Sequence, residues 1–192
     1  MRTLLILCMV FITGMSVAQE ADTMKVYTSL ESAMKNPEAV YKLRLSKMDL
    51  KEFPMEILKM KNLRVLDLTK NKIKTIPQEI GQLQHLEVLN LSRNRLVEIP
   101  AGIGGLVNLR SLILNQNEIE SIPKEIGNLK KLEYLDMWSN NLWSFPEELK
   151  ELVSLKEFDL RNIQLTFKEQ EYINSLLPKT KIHYSPACNC AK

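Results

Sequence analysis

The residues best suited to chemistry lie at the carboxyl end, where His183, Cys188 and Cys190 fall within eight residues of one another. Soft ligands of this kind suit a thiophilic metal or a thiol–disulfide couple. Geometry restrains both. Two cysteines one residue apart point to opposite sides of an extended chain and bond to each other only with strain. Three readings therefore stand open: a free tail or strained local disulfide, a covalent link to a second copy or a partner, and a metal or redox site. Elsewhere the chemistry is sparse. His85 is the other histidine of the chain, and it falls where a repeat turns through solvent. Five of the six glycines (Gly81, Gly102, Gly104, Gly105 and Gly127) recur at turns and not in a phosphate-cradling loop. No nucleophile elbow or paired metal-ligand motif is present. The sequence points away from an enzyme, predicts no cofactor and assigns no metal site.

The elements that would position any functional side chain are written as a repeat. From Leu63 to Ser154 the chain reads LRVLDLTKNKIKTIPQEIGQLQH, LEVLNLSRNRLVEIPAGIGGLVN, LRSLILNQNEIESIPKEIGNLKK and LEYLDMWSNNLWSFPEELKELVS, four units of 23 residues without interruption. Worn copies flank them, from Val40 to Asn62 and from Leu155 onward. In the first full unit Leu66 and Leu68 alternate with Val65, Asp67 and Thr69, which is the period of a strand with one buried face. Ile73 and Ile76 turn the chain over a core, and Pro77 suits the first position of a helical turn. Ile80 and Leu83, three apart, share that turn's inner face. Seven inward positions do not offset the ordering of 23 backbones, so one unit folds only against neighbours.

The pattern Lxx-LxL-xxN-x-Φ-xx-ΦP-xx-Φ-xx-L-xx, with Φ apolar, resembles the leucine-rich repeat in its 23-residue, Ras-suppressor-like form, and also resembles short exported bacterial proteins of that kind. The resemblance spans residues 40–178. It implies an α/β fold: a right-handed solenoid with a parallel concave sheet, short helical or 3-10 turns on the convex side, and helical caps at both ends. It further implies that Asn71, Asn94, Asn117 and Asn140, one per repeat just after each strand, are buried and bonded to the backbone of their own and the adjacent coil. Met48 and Ile163 break that column in the outermost copies, which lack a neighbour on one side.

In such a fold the outward strand positions form the recognition surface, here about six strands and roughly 25 Å across. Early strands offer Lys42, Arg44, Lys47, Lys70 and Arg93, beside Asp67 and Asn90; middle strands offer Ile113, Asn115 and Gln116. Late strands offer Tyr134, Asp136, Trp138, Glu157, Asp159 and Arg161, so the face runs from basic to acidic and aromatic. Trp138 occupies a column that holds Ser46, Thr69, Ser92 and Asn115 in earlier copies, so packing does not demand an indole there. Exposed Trp and Tyr are favoured anchors of protein interfaces. Ile113, Tyr134 and Trp138, flanked by Asp136 and Asp159, are the expected partner contact; Lys70 and Arg93 add a basic end.

Composition and ends complete the reading. Lys plus Arg number 26 and Asp plus Glu 23 in 192 residues, a near balance with no footprint for nucleic acid. Arg2, the apolar run Leu4–Ile12 and the small-x-small triplet Ser16-Val17-Ala18 read as a signal peptide of residues 1–18, cleaved after Ala18, with Cys8 lost with it. No apolar run is long enough to leave a transmembrane segment in the mature chain. Residues 19–39 read as an amino-terminal cap whose helix, from Ser29 to Met34, ends at Asn36-Pro37. Thr166 and Glu169 form a capping box for a helix to about Leu177, and residues 179–192 supply an edge strand and the cysteine tail. Two caps imply a whole protein without room for a catalytic domain. The expected role is to present the concave face to a protein ligand in the bacterial envelope or outside the cell. The alternatives are a thiol or metal function of the tail, including a covalent dimer, with the repeats as support, and a structural envelope component without a discrete ligand.

Overall fold

Alternating leucines next to a 23-residue period produce short strands that can pair only with their counterparts one coil away. A computed structural model describes residues 25–185, and in it eight such strands form one parallel sheet in sequence order. They are β1 (Val26–Tyr27), β2 (Lys42–Arg44), β3 (Val65–Asp67), β4 (Val88–Asn90), β5 (Ser111–Ile113), β6 (Tyr134–Asp136), β7 (Glu157–Leu160) and β8 (Lys181–Tyr184). The register is one repeat per step: Leu43, Leu66, Leu89, Leu112, Leu135, Phe158 and Ile182 stand side by side across the ladder. All but Ile182 are fully buried, in one core continuous from Tyr27 to Leu177. The sheet is two strands wider than the repeat count implies, because a pair of residues ahead of the first copy pairs with β2 and Lys181–Tyr184 pairs with β7.

The return side is a row of 3-10 turns, such as Gln78–Gln82, Ala101–Gly105 and Lys124–Asn128. Pro77, Pro100, Pro123 and Pro146 do not open these turns from inside. Each sits one residue earlier with extended ψ near 150°, and its carbonyl accepts the first turn bond, as from the Ile80 N–H at 3.1 Å. Proline's φ fits that position, and its missing donor has no partner to lose. Glycine serves close approach here rather than backbone conformation, since no glycine among the described residues has positive φ. A Cβ on Gly102 would stand 1.9 Å from the carbonyl oxygen of Gln78, and one on Gly81 would stand 2.5 Å from that of Gly102.

Left-handed backbone appears instead where no glycine marks it. Lys47, Lys70, Arg93, Gln116, Ser139 and Asn162, each just before the asparagine column, have φ between 54° and 61°. This conformation costs an L-residue about 1 kcal/mol or more. It is offset because each turned N–H finds the next coil: Lys70 donates to the Ser92 carbonyl, Arg93 to Asn115 and Gln116 to Trp138, at 2.8–2.9 Å.

The asparagines are all buried and use every bonding group. Asn94 Oδ1 accepts the Ile73 N–H of the preceding coil, while its Nδ2 donates to the Leu68 carbonyl of that coil and to Leu91 of its own, at 3.0–3.1 Å. Asn117 and Asn140 repeat the arrangement, and Asn71 Oδ1 takes two N–H groups, from Met48 and Leu50. Of the two residues that break the column, Met48 is exposed and Ile163 is buried as part of the apolar core.

The ends are closed by two helices. In α1 (Leu30–Met34) Ala33 is buried, Leu30 and Met34 pack on the core, and the Ser29 hydroxyl caps the Ser32 N–H. The helix stops before Asn36-Pro37, and Pro37 opens a 3-10 turn, Pro37–Ala39, instead of merely ending the element. At the other end α2 (Phe167–Leu176) carries the capping box: Thr166 Oγ1 accepts the Glu169 N–H, and Glu169 Oε2 accepts the Thr166 N–H at 2.6 Å. Its apolar residues divide. Ile173 and Leu177 are buried, whereas Phe167 and Tyr172 face outward. Tyr184 of β8 ties strand to helix, its hydroxyl 3.2 Å from Asn174 Oδ1, and burial pushes its phenol up to about 12.

Two substitutions test this scaffold by denaturant unfolding. Asn94→Ala leaves the Ile73 N–H without a partner and strips one of two asparagine bonds from each of the Leu68 and Leu91 carbonyls, and is expected to cost about 1–3 kcal/mol. Gly102→Ala pushes a methyl into the neighbouring coil and is expected to cost about 1–3 kcal/mol, with binding surfaces on the opposite side untouched.

Candidate functional site

On the concave side the pleat sets out parallel columns of outward side chains. In register across β5, β6 and β7 lie Ser111, Tyr134 and Glu157, then Ile113, Asp136 and Asp159. Trp138 follows β6 by two residues, so Tyr134, Asp136 and Trp138 project to the same side. The structure thus brings Ile113, Tyr134, Asp136, Trp138 and Asp159 together. Lys70 and Arg93 are exposed at the shoulder, three and two coils before β6, outside this group. Arg93 Nε is held by Gln116 Oε1 at 2.6 Å. Trp143, 68% exposed, lies in the following loop with its backbone N–H on the Glu120 carbonyl.

The acids differ from their reading as exposed flanks. Asp136 is only 7% exposed and Asp159 only 5%. Both serve the backbone first. The Asp136 Oδ1 accepts the Trp138 N–H and the Asp159 Oδ1 the Arg161 N–H, each at 3.0 Å. Asp67 does the same for Thr69 and Asn90 for Ser92. This is an Asx turn at the ends of β3, β4, β6 and β7, which satisfies a backbone donor the parallel ladder leaves over. The signal was in the sequence as Asp or Asn in four copies of that column, which holds Arg44 and Ile113 in two others, but outward position masked it. With its Oδ1 bonded to the Ser92 N–H and hydroxyl, Asn90 is likewise engaged. Asn115, not singled out from the sequence as a contact, holds Asp136 Oδ2 at 2.5 Å.

Electrostatics separate the two carboxylates. Burial pushes Asp136 above the ordinary carboxylate range, and the neighbouring Asp159 adds to this against the Asn115 and Trp138 bonds. At Asp159 burial also pushes upward, but the Arg161 guanidinium, at 2.6–3.1 Å, and the Arg161 N–H outweigh it and hold the group below that range. Burial, with Asp136 next, raises the Tyr134 phenol. His183 Nε2 lies 3.5 Å from Glu157 Oε2 on the outermost strand. His85 is exposed. Cys188 and Cys190, like the signal segment 1–18 and the start of the amino-terminal cap, lie outside the described residues. Among the described residues no cluster of His, Cys, Asp and Glu is arranged to hold a metal, and no helix is long and apolar enough to cross a membrane.

A parallel sheet with one strand per 23 residues, 3-10 return turns and a buried asparagine per coil defines a leucine-rich-repeat solenoid. The chain matches the family profile described as leucine-rich repeat region over residues 43–181, and it belongs to that family. It is similar to a leucine-rich-repeat protein of Leptospira interrogans, 35% identical with a TM-score of 0.66 over 86% of this chain and 49% of that one. The chain thus spans about half the length of that relative. Internalin C2 of Listeria monocytogenes aligns at 26% identity and TM-score 0.69, over 82% of this chain and 66% of its own. The functional domain of InlJ from Listeria monocytogenes, 24% identical with a TM-score of 0.65 over 82% of this chain and 32% of that one, shares the fold. No curated protein matches. The family is generally a non-enzymatic interaction scaffold, and nothing in this site supplies a catalytic constellation.

Opposite pKa shifts give opposite pH dependences. The lowered Asp159 contributes stability above its unfolded value near 3.8 that is lost as pH falls through its folded value. The raised Asp136 instead loses stability as pH climbs from near 3.8 through its folded value. At pH 7, Asp159→Asn is therefore expected to lower Tm by roughly 2–4 °C, and Asp136→Asn to leave Tm unchanged or raise it. Thermal melts of both variants at pH 3 and pH 7 check the pair.

Proposed function

We propose that this chain is a non-enzymatic binding module that presents its concave sheet to a protein ligand, with the contact centred on Ile113, Tyr134 and Trp138. The observation that carries the reading is what the scaffold asks of position 138. Thr69, Ser92, Trp138 and Arg161 occupy equivalent places, and in each the backbone N–H is bonded to the Asx residue two positions earlier. The fold uses the amide of Trp138 and is indifferent to its side chain. A half-exposed indole beside a half-exposed phenol on a preformed sheet is therefore available for contact, and a rigid surface loses little conformational entropy on docking. Asp136 and Asp159 act at this centre from below, as charges under the surface, and Lys70 and Arg93 form a separate basic shoulder.

The amino-terminal pattern of a charged residue, an apolar run and Ser16-Val17-Ala18 supports export, and with it a working place in a bacterial envelope or outside the cell. A second reading places the function in Cys188 and Cys190, as a covalent link or a metal or thiol site, with the repeats as support. A chain ending at Pro186 separates the two. Capture of the native cross-linked partner that survives the truncation belongs to the sheet. With the full chain, Trp138→Ala is expected to shift Tm by less than about 2 °C and to weaken capture of that partner at least roughly tenfold. Undiminished capture by Trp138→Ala removes the aromatic centre from the proposal.

A further inference from the structure

Three aspartates stand in one column of the concave face: Asp67 on β3, Asp136 on β6 and Asp159 on β7. Two of them have a cation supplied by the chain. Arg44 Nε lies 3.3 Å from Asp67 Oδ2, and the Arg161 guanidinium forks onto Asp159 with its closest contact at 2.6 Å. Asp136 has no such partner among the described residues, although it is more deeply covered than Asp67. Its oxygens are bonded to the Asn115 amide and the Trp138 N–H. Both donors are neutral, so hydrogen bonding is satisfied while the charge is not. A buried charge without a counter-ion is costly, and the upward displacement of its titration by burial records that cost.

The surroundings of Asp136 have the features of a receptor for positive charge. Along the strand its two same-side neighbours are Tyr134 and Trp138, each roughly 7 Å away by strand geometry. Aromatic faces carry negative quadrupole potential and attract cations, more so where water is thinned. Across the ladder stand apolar Ile113 on one side and Asp159 on the other. Arg161 is bonded to Asp159 and acts on Asp136 only through space, against the push of burial. This slot in the column therefore sets a covered acid between two same-side aromatic neighbours, with Ile113 on one flank and Asp159, bonded to Arg161, on the other.

We propose that this slot accepts a single lysine or arginine side chain of the protein ligand, its charge placed over Asp136 between Tyr134 and Trp138. The inference rests on the reading of the concave sheet as the ligand surface and names the chemistry that the sheet selects. Asp136 is then the specificity-determining residue, the one of the three acids without an ion-pair partner among the described residues. Asp136→Asn is the discriminating variant, because asparagine at the same column position, Asn90, already makes the same bond to the backbone.

The test uses the full chain carrying Trp143→Phe, so that one indole N–H resonance reports on Trp138. It is titrated with the capped tripeptides Ac-Gly-Arg-Gly-NH2, Ac-Gly-Lys-Gly-NH2 and, as the neutral match, Ac-Gly-Gln-Gly-NH2. The expected result is a saturable shift with the two cationic peptides, little shift with the neutral one, and at least roughly tenfold weaker binding in Asp136→Asn at unchanged or raised Tm. Equal shifts with all three peptides, or equal affinity of Asp136 and Asp136→Asn chains, overturn the proposal. Partner capture keeps the two readings distinguishable. Capture that needs Trp138 but not the Asp136 charge overturns the cation slot and leaves the binding face standing, whereas capture indifferent to Trp138 overturns both.

Discussion

One buried amide per coil sets the geometry on which everything else depends. The side chain of Asn94 takes an N–H from the coil before it and gives its own two hydrogens to that coil and to its own strand end. Asn117 and Asn140 do the same one and two coils on. An unpaired amide in this interior would be costly, so each coil can sit only where the next one satisfies it. Spacing and register follow, and with them the columns of side chains on the concave face. Where the stack ends, the constraint lapses: Met48 has moved to the surface and Ile163 has joined the core.

Two further close approaches act on opposite sides of the strands. On the return side, Gly81, Gly102 and Gly105 let the 3-10 turns of adjacent coils touch backbone to backbone. At the strand ends, six non-glycine residues turn left-handed and hand their N–H groups to the next coil. Surface ion pairs run along the same direction, as between Arg64 and Glu87 and between Arg110 and Glu133, both 23 residues apart. Exposed pairs of this kind contribute little individually. The hydrogen-bonded contacts of backbone and asparagine hold the stack, and the surface charges decorate it.

A scaffold this repetitive separates what the fold needs from what it leaves free. At Asp67, Asn90, Asp136 and Asp159 the fold needs an oxygen that accepts an N–H two residues on. At Thr69, Ser92, Trp138 and Arg161 it needs only that N–H. Of the side chains in the second set, Ser92 and Arg161 bond back to Asn90 and Asp159, whereas Trp138 is the large aromatic that the turn does not use. Charge in the first set is a by-product of the turn unless the chain neutralises it. Among the described residues it does so at Asp67 and Asp159 and not at Asp136. Function in this family member is accordingly read from departures within a column, not from the column itself.

Much of the solenoid was legible in the amino-acid order alone. The leucine alternation, the prolines, the asparagine column and the Thr166–Glu169 capping box are local or strictly periodic patterns, and periodic burial writes itself into residue type. The grouping of Ile113, Tyr134 and Trp138 followed from the same period. Tertiary structure alone decided the rest. β1 is two residues long and pairs only because β2 presents an edge; nothing in Val26 and Tyr27 announces it. The left-handed column carries no glycine, because the compensating bond comes from a neighbouring coil. Asp136 and Asp159 have the same residue type and the same place in the repeat. One is raised and the other lowered because burial is set by neighbouring strands and the cation by where a single arginine folds back. Residue type records what each coil must bury; which way each carboxylate's titration is displaced is settled only once the coils stand side by side.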